Sequence, residues 1–184
     1  MLSRLAAVLT LLLPMTTFAA GTRPFTARDL VTLDRVSDPQ AAPDGSRVAF
    51  TVRETDLDGN KGLRSVWMLP LHDKDAKPRR LTEDGKSDTP RWSPDGKALY
   101  FLSSRSGSTQ VWRMDAGLGE AKQVTHYPLD VNNFRIAPDG RHLALSIDVF
   151  ADCADLACSK KRLDDKAADK ASGTVYDKLF IRHW

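Results

Sequence analysis

The chain has 184 residues, which is enough for one ordinary domain. Hydrophobic residues make up 41% of it and charged residues 28%, a globular composition that excludes a wholly disordered chain. The net charge of +3 is small and scattered along the sequence, so no nucleic-acid-binding surface is expected. Two cysteines are too few for a disulfide-rich scaffold.

Residues 1–19 have the three parts of a secretory signal peptide. Arg4 gives a short positive region, Leu5–Leu13 forms an apolar core, and Thr17 and Ala19 are the small residues that precede a cleavage site. The alternative is an uncleaved membrane anchor, for which this apolar core is short. We therefore expect a periplasmic or secreted protein with no stable membrane anchor after the signal peptide is cleaved.

Residues 20–35 are predicted to form an N-terminal extension that contains one short helix. Thr26, followed three residues later by Asp29, resembles a capping box with Asp in place of the usual Glu. In a capping box each of the two residues accepts a hydrogen bond from the backbone of the other. The pair therefore predicts a short helix over Ala27–Asp34, ahead of the repeats.

Three sequence elements recur in the same order along residues 36–184, with a period of about 45 residues. The first is a Pro-Asp-Gly turn followed by an apolar strand, opened by Pro43, Pro94 and Pro138. The others are a Val-Trp pair and an apolar residue followed by Thr, found at Val66-Trp67, Val111-Trp112, Leu81-Thr82 and Val124-Thr125. Each turn predicts a tight hairpin with a G1-type bulge. A β-sandwich is the alternative fold, but it has no reason to repeat three elements in register.

The predicted fold is all-β, a partial β-propeller of about two and a half four-stranded blades with Pro-Asp-Gly hairpins. The four strands of the second blade are expected near Thr89–Ser93, Ala98–Ser103, Gln110–Asp115 and Lys122–His126. The third blade is incomplete, because a polar insertion over residues 151–173, either helical or a loop, stands where the next Val-Trp pair is expected.

The segment Leu99–Leu102 is apolar on both faces, as expected of a strand between two packed sheets. We expect it to lack a covering blade on at least one side in this chain. The chain by itself should therefore be only marginally stable and prone to associate.

Cys153 and Cys158 lie within the polar insertion. Paired thiols usually oxidise outside the cytoplasm, so a disulfide between them is expected. Free thiols are one alternative, and a metal site is the other. A metal site would need further Cys or His ligands nearby, and the sequence offers none at a suitable spacing.

The sequence assigns no catalytic, substrate-binding or metal-binding residue, and no cofactor is expected. Asp56–Asn60 resembles a calcium loop but lacks the spacing and final Glu of an EF-hand, which favours a solvated hairpin turn. Trp67, Trp92 and Trp112 stand at recurring blade positions, which favours packing over ligand stacking. Arg105, in a turn between two strands, faces either a central chamber or solvent, and solvent is the simpler expectation.

Together these motifs resemble the amino-terminal propeller of prolyl-oligopeptidase-type serine peptidases, especially secreted bacterial dipeptidyl aminopeptidases and acylaminoacyl peptidases. The resemblance is carried by the opening TARDLVTLDRVSDPQAAPDGSRVAF, by RRLT, WSPDG, LYFLSSRSG and VWRM, and by the ending YDKLFIRHW. The Pro-Asp-Gly repeats alone also resemble those of TolB-type periplasmic propellers.

The resemblance implies a propeller followed by an α/β-hydrolase domain with a Ser-His-Asp triad. The chain has no Gly-x-Ser-x-Gly motif, so none of the family's catalytic residues can be placed on it. We expect a fragment or truncated product that is inactive alone. In the whole enzyme the propeller would gate peptide substrates and hold their amino terminus, most simply with carboxylates. The alternative is a TolB-like module that binds proteins without catalysis.

Overall fold

The computed structural model describes residues 23–116, 119–170 and 173. The predicted signal peptide and the YDKLFIRHW ending lie outside these residues. The described strands are β1 (Arg35–Ala41), β2 (Arg47–Asp56), β3 (Lys61–Pro70), β4 (Arg79–Arg80), β5 (Ser87–Trp92), β6 (Ala98–Ser103), β7 (Gln110–Asp115), β8 (Lys122–Gln123), β9 (Val131–Ile136) and β10 (Leu143–Ile147). Two helices accompany them, α1 (Ala27–Thr32) and α2 (Leu156–Ala168). No helix in the described ranges is long and apolar enough to cross a membrane.

Helix α1 begins with the predicted capping box. The backbone N–H of Thr26 donates to Asp29 Oδ2 at 2.8 Å, and the backbone N–H of Asp29 donates to Thr26 Oγ1 at 3.2 Å. The Arg23 guanidinium also binds Asp29, and together with Thr26 it holds the pKa of that carboxyl well below its usual range. The helix ends at Thr32, earlier than the predicted Asp34. The chain divides into two units after Val31, and the blades lie in the second.

The strands form two complete antiparallel blades and part of a third, as predicted. Blade 1 has the strand order β1-β2-β3-β4, blade 2 has the order β5-β6-β7-β8, and the described part of blade 3 is the pair β9 and β10. In blade 2, β6 and β7 have the predicted bounds, whereas β8 ends at Gln123 instead of His126.

The three Pro-Asp-Gly turns close in the same way. Gly45, Gly96 and Gly140 have φ of 69°, 69° and 68°, the left-handed conformation that glycine adopts without strain. Each glycine N–H donates to the carbonyl three residues earlier, at 2.9, 2.9 and 2.8 Å. The Asp of each turn accepts a hydrogen bond from the backbone N–H two residues later. The repeated tripeptide therefore encodes one hairpin geometry three times.

The recurring threonine completes a blade whose outermost strand is only two residues long. Thr82 Oγ1 accepts a hydrogen bond from the buried Val66 N–H at 2.9 Å, and Thr125 Oγ1 accepts one from Val111 N–H at 2.9 Å. A side-chain hydroxyl thus takes the place of a ladder carbonyl. This explains why β8 ends earlier than predicted, because Thr125 bonds to β7 through its side chain.

Two apolar clusters hold the blades together. Between blades 1 and 2, Ala49 and Val66 pack with residues of blade 2 that include Leu99 and Phe101, which are 1% and 0% exposed. Between blades 2 and 3, a second cluster contains Leu102, Val111, Val131 and Phe134. The expectation that Leu99–Leu102 lacks a covering blade on one side is therefore wrong, since the two described strands of blade 3 are enough to cover it.

The polar insertion is helical, one of the two forms predicted for it. Asp155 caps α2 by accepting a hydrogen bond from the Cys158 N–H at 2.7 Å. Cys153 and Cys158 are joined by a disulfide with an S–S distance of 2.06 Å and a Cα–Cα distance of 5.6 Å. The buried Ser159 accepts a hydrogen bond from the Phe150 N–H at 3.2 Å, which ties the first turn of α2 to the segment after β10.

We expect Thr125→Val to lower the free energy of unfolding by about 1–3 kcal/mol, because it leaves a buried N–H without an acceptor. The Val111 N–H loses its acceptor, and the Oε1 atom of Gln110 loses the hydroxyl that donates to it at 2.8 Å and keeps only the Tyr127 N–H. Thr125→Ser keeps the hydroxyl and is the matched control. Denaturant unfolding measures both variants, and equal midpoints would contradict the role given to Thr125.

Candidate functional site

The first strands of the three blades, β1, β5 and β9, lie next to one another. In a propeller this edge of each blade surrounds the central channel. Both β1 and β5 are interrupted by a bulge, at which Asp38 and Thr89 have φ of 50° and 55°. A positive φ is unusual for a β-branched residue such as Thr, and strain of this kind is typical of functional sites. The bulges re-aim the side chains that follow them.

A cavity of about 230 Å³ lies at the Pro-Asp-Gly end of these strands, and its lining includes Gln40, Arg91 and Arg135. Each of the three residues stands three positions before the Pro of its turn. They therefore occupy the same place in three blades and line one cavity beside the first strands. The sequence analysis did not identify these three residues, although their shared position before each Pro-Asp-Gly turn could have indicated them.

An ion pair joins blades 1 and 2 at this cavity. Arg91 Nη1 lies 2.6 Å from Asp38 Oδ2, and the two side chains are only 16% and 31% exposed. Gln40 Nε2 donates to the other carboxylate oxygen of Asp38 at 2.8 Å. The charge of Arg91 is therefore largely neutralised, and its guanidinium is held in place.

Arg135 has no such partner. Its position in blade 3 matches that of Arg91 in blade 2, but the residue that matches Asp38 in blade 2 is the uncharged Thr89. The Arg135 side chain is exposed and donates to the Phe134 carbonyl at 3.3 Å, and no described carboxylate forms an ion pair with it. The cavity thus presents one positive charge that is available to an anionic or carbonyl-rich ligand.

The first strands that the structure describes carry two carboxylates, and each of them forms an ion pair. Asp38 pairs with Arg91, and Asp88 pairs with Arg64 at 3.4 Å. On these strands no carboxylate is therefore free to hold a peptide amino terminus, the role that the sequence analysis expected carboxylates to have. The groups available here are guanidinium and amide donors, which bind carboxylates and carbonyl oxygens.

Arg105 is not in solvent, contrary to the expectation from the sequence. Its guanidinium lies 4.7 Å from the centroid of the Trp112 ring and 5.4 Å from that of Phe101, and its Nε is 2.9 Å from Asp84 Oδ2. Ser103 also binds both charged groups. Arg105 is thus a packing residue, because the turn after β6 folds it back over two aromatic rings.

These contacts determine how readily the Asp84 carboxyl ionises. Burial opposes its ionisation, but hydrogen bonds from the Lys86 N–H and from the hydroxyls of Ser103 and Ser87, together with the charge of Arg105, outweigh that effect. The pKa of the Asp84 carboxyl is therefore held below its usual value.

The remaining candidates have structural roles. Trp92 Nε1 donates to the Gln40 carbonyl at 2.9 Å, and the rings of Trp67 and Trp112 stack with arginines, so these indoles pack the blades. The segment Asp56–Asn60 forms the hairpin turn at the end of β2, as predicted, and the Gly59 N–H donates to Asp56 Oδ1 at 2.9 Å. In the part of the chain that the structure describes, no group of three or more His, Cys, Asp or Glu is placed to hold a metal ion.

Comparison with known proteins identifies relatives of this fold. The family described as PD40, TolB beta propeller domain, matches residues 30–177. The uncharacterized peptidase YuxL of Bacillus subtilis is 32% identical over 125 residues, which are 67% of this chain and 19% of YuxL. Dipeptidyl-peptidase 5 of Porphyromonas gingivalis is 29% identical over 158 residues, 84% of this chain and 22% of that protein.

A solved structure of Pyrococcus horikoshii acylaminoacyl peptidase has the same fold over part of its length. It superposes with a TM-score of 0.53 at 22% identity, over 68% of this chain and 20% of that chain. The chain thus spans about a fifth of the length of the curated relatives named above, 19% and 22%. The family match and this likeness confirm the prediction of an all-β partial propeller.

We expect Asp84→Asn to lower the free energy of unfolding at pH 7 by about 1–3 kcal/mol, because Arg105 and two serine hydroxyls lose an ionised acceptor. The folded-state pKa of Asp84 lies below the unfolded value of about 3.9. Its stabilisation is therefore present above that pH and is lost as the pH falls through the lower, folded-state pKa.

The measurement is denaturant unfolding at a series of pH values from 7 to below 4. The variant should lose less stability than the wild type over the acid range. Glu83→Gln, at the exposed neighbouring carboxylate, is the control and should keep the wild-type profile. An acid profile of Asp84→Asn that runs parallel to the wild type would show that Asp84 is not held by these contacts.

Proposed function

Because the chain belongs to the PD40 family of TolB β-propeller domains, we propose that it is the N-terminal propeller part of an exported serine exopeptidase. The enzyme is of the dipeptidyl or acylaminoacyl peptidase type, and the propeller gates and orients peptide substrates for a catalytic α/β-hydrolase domain. The observation that carries the proposal is the convergence of Gln40, Arg91 and Arg135, one residue from each blade, at the channel edge.

The convergence supports a role in orienting peptides. An extended peptide presents backbone carbonyls and, at its end, a carboxylate, and all of these accept hydrogen bonds. Arg91 is fixed by Asp38, so it offers a pre-positioned donor, whereas Arg135 has its charge free for an anionic group. Fixed donors at a channel wall lower the entropy cost of holding a substrate in one direction.

The gating role rests on the architecture. Blades arranged around a channel admit an extended chain and exclude a folded one, because the width of the channel is set by the packed first strands. The relatives named as peptidases extend well beyond the region that this chain matches. A hydrolase domain attached to the propeller would meet substrates that have passed these strands.

The proposed location is the periplasm or the extracellular medium. The signal peptide predicted over residues 1–19 supports export. The disulfide between Cys153 and Cys158 agrees with an oxidising compartment.

A TolB-like periplasmic propeller that binds proteins without catalysis is the second candidate. The observation that favours it is the family itself, which is described by the TolB propeller. The two candidates differ in one property: a peptidase requires a hydrolase domain in the same protein, and a TolB-like module does not.

We expect the purified 184-residue chain to hydrolyse neither dipeptidyl nor acyl-aminoacyl chromogenic substrates, because it has no motif for a serine nucleophile. The product of the whole reading frame should hydrolyse one of these substrate classes, and a serine-directed inhibitor should abolish that activity. A reading frame that encodes no hydrolase domain would contradict the peptidase and support the binding module.

Arg135→Gln in the whole product tests the channel residues separately. We expect a higher KM with kcat nearly unchanged, because the variant loses a substrate contact and no chemical group. Arg141→Gln, at an arginine in the exposed hairpin of the same blade, is the matched control. Unchanged kinetics in Arg135→Gln would remove Arg135 from the site.

A further inference from the structure

The contact between blades 1 and 2 shows how the fold holds a carboxylate beside its first strands. Arg91 Nη1 donates to Asp38 Oδ2 at 2.6 Å, and Gln40 Nε2 donates to Asp38 Oδ1 at 2.8 Å. Arg91 Nη1 also donates to the Pro90 carbonyl of its own strand at 2.6 Å. One carboxylate is thus bound by two donors, and hydrogen bonds between a guanidinium and a carboxylate are among the strong ones.

The same donor positions recur one blade further along the chain. Arg91 stands in the repeat position of Gln40, and Arg135 stands in that of Arg91. The strand pairing confirms this equivalence, because each of the three pairs with the residue six positions after the Pro of its turn, namely Ala49, Tyr100 and Ala144. Arg135 Nη1 donates to the Phe134 carbonyl, as Arg91 Nη1 donates to the Pro90 carbonyl. Blades 2 and 3 therefore repeat the donor arrangement, with an arginine in both positions.

The carboxylate of this arrangement does not recur. Thr89 stands in the repeat position of Asp38, and its hydroxyl donates to Asp88 Oδ1 of its own strand at 3.0 Å. Asp38 neutralises Arg91, whereas no described carboxylate forms an ion pair with Arg135. The first strands of blades 2 and 3 thus have the donors for a carboxylate and lack the carboxylate itself.

The two arginines have donors left for a ligand. Both line the cavity of about 230 Å³, and none of its described lining residues is acidic. The hydrogen bonds of the Arg91 guanidinium to described residues come from Nη1, which leaves Nη2 to donate to a ligand. Because Asp38 cancels the charge of Arg91, the cavity keeps one net positive charge, that of Arg135.

The size and the charge of the cavity favour a carboxylate on a small apolar group. Its volume lies below the roughly 300–1,000 Å³ that is typical of pockets for drug-sized ligands, which suits a chain end or one side chain. One positive charge balances one carboxylate, whereas a phosphate monoester carries about −1.5 to −2 at neutral pH. Most of the other lining residues are apolar, among them Pro43, Trp92, Pro94 and Ile136.

We propose that Arg91 and Arg135 together bind a carboxylate supplied by a peptide ligand, in the place that corresponds to the Asp38 carboxylate of the preceding interface. The carboxylate is the C-terminus of a short peptide or the side chain of an acidic residue. The inference rests on the proposed function in one respect, that the ligand is a peptide. It adds that the propeller selects peptides by a negative charge.

Binding is tested on the 184-residue chain by calorimetry with N-acetyl-alanyl-alanine and with its C-terminal amide. The acid should bind about tenfold more tightly than the amide, the effect of one charged hydrogen bond, and added salt should reduce this preference. N-acetyl-glutamic acid diamide distinguishes the two sources: its binding shows that side-chain carboxylates are accepted, and its failure beside a bound acid assigns the site to chain ends. Equal affinity for the acid and the amide, or no binding of either, would overturn the proposal.

Arg135→Gln should abolish the preference for the acid over the amide, because it removes the charge and keeps a hydrogen-bond donor. Comparing both ligands on one variant cancels any general effect of the substitution on the fold. Arg141→Gln removes an exposed charge from the same blade and should keep the preference. A preference that survives in Arg135→Gln would overturn the assignment. These measurements need no hydrolase domain, so their failure would leave the peptidase itself to be decided by the reading frame.

Thr89→Asp provides the converse test, because it supplies the missing carboxylate from the chain itself. Position 89 has a φ of 55°, which Asp tolerates and which Asp38 matches with a φ of 50°. The variant should have a higher Tm than the wild type and should lose the preference for the acid. Thr89→Asn is the uncharged match and should keep that preference. An undiminished preference in Thr89→Asp would overturn the proposal, and Arg135→Gln tests it independently if Thr89→Asp does not fold.

Discussion

Blade 2 is a sheet with two apolar faces, and the rest of the structure depends on both being covered by neighbouring blades. Leu99 and Phe101 point to blade 1, while Leu102 and Val111 pack with blade 3. Fully burying a side chain of this size stabilises a fold by about 1.5–3 kcal/mol. A repeat protein gains much of its stability in this way, from interfaces between units.

Because the blades pack directly against one another, equivalent positions of neighbouring blades lie side by side. Polar contacts between the blades fix this arrangement. A Cβ on Gly96 would lie 3.4 Å from the ring of Pro43, and one on Gly140 would lie 3.7 Å from that of Pro94, so each hairpin rests on the one before it. Asp38 and Arg91 tie the first strands of the same two blades together. The channel residues are thus positioned by the interfaces and not by their own loops.

Features that depend on local sequence could be predicted. The hairpins at Pro43, Pro94 and Pro138 follow from turn chemistry, and β6 and β7 are placed by the turn and the Val-Trp pair of the repeat. Features that depend on contacts between blades could not. Asp38 and Arg91 are 53 residues apart in sequence, and nothing near either residue indicates the other.

The position of the Arg105 side chain could not be predicted either, because it depends on contacts within its own blade. A charged residue in a turn is normally solvated, and only the rings of Phe101 and Trp112 beside it make the folded-back position favourable. The residues that line the cavity, Gln40, Arg91 and Arg135, could be predicted in part. The sequence shows that they occupy equivalent positions of the repeat, but only the fold shows that these positions line one cavity.

The central claim, that blade 2 is held by its neighbours, is tested most directly by hydrogen exchange. Phe134 lies in blade 3 and is 1% exposed against Leu102 and Val111. The account predicts that Phe134→Leu speeds amide exchange in β6 and β7 of blade 2, whereas the exposed neighbour change Asn132→Ala leaves these strands unchanged. Faster exchange confined to β9 and β10, with blade 2 unaffected, would contradict it.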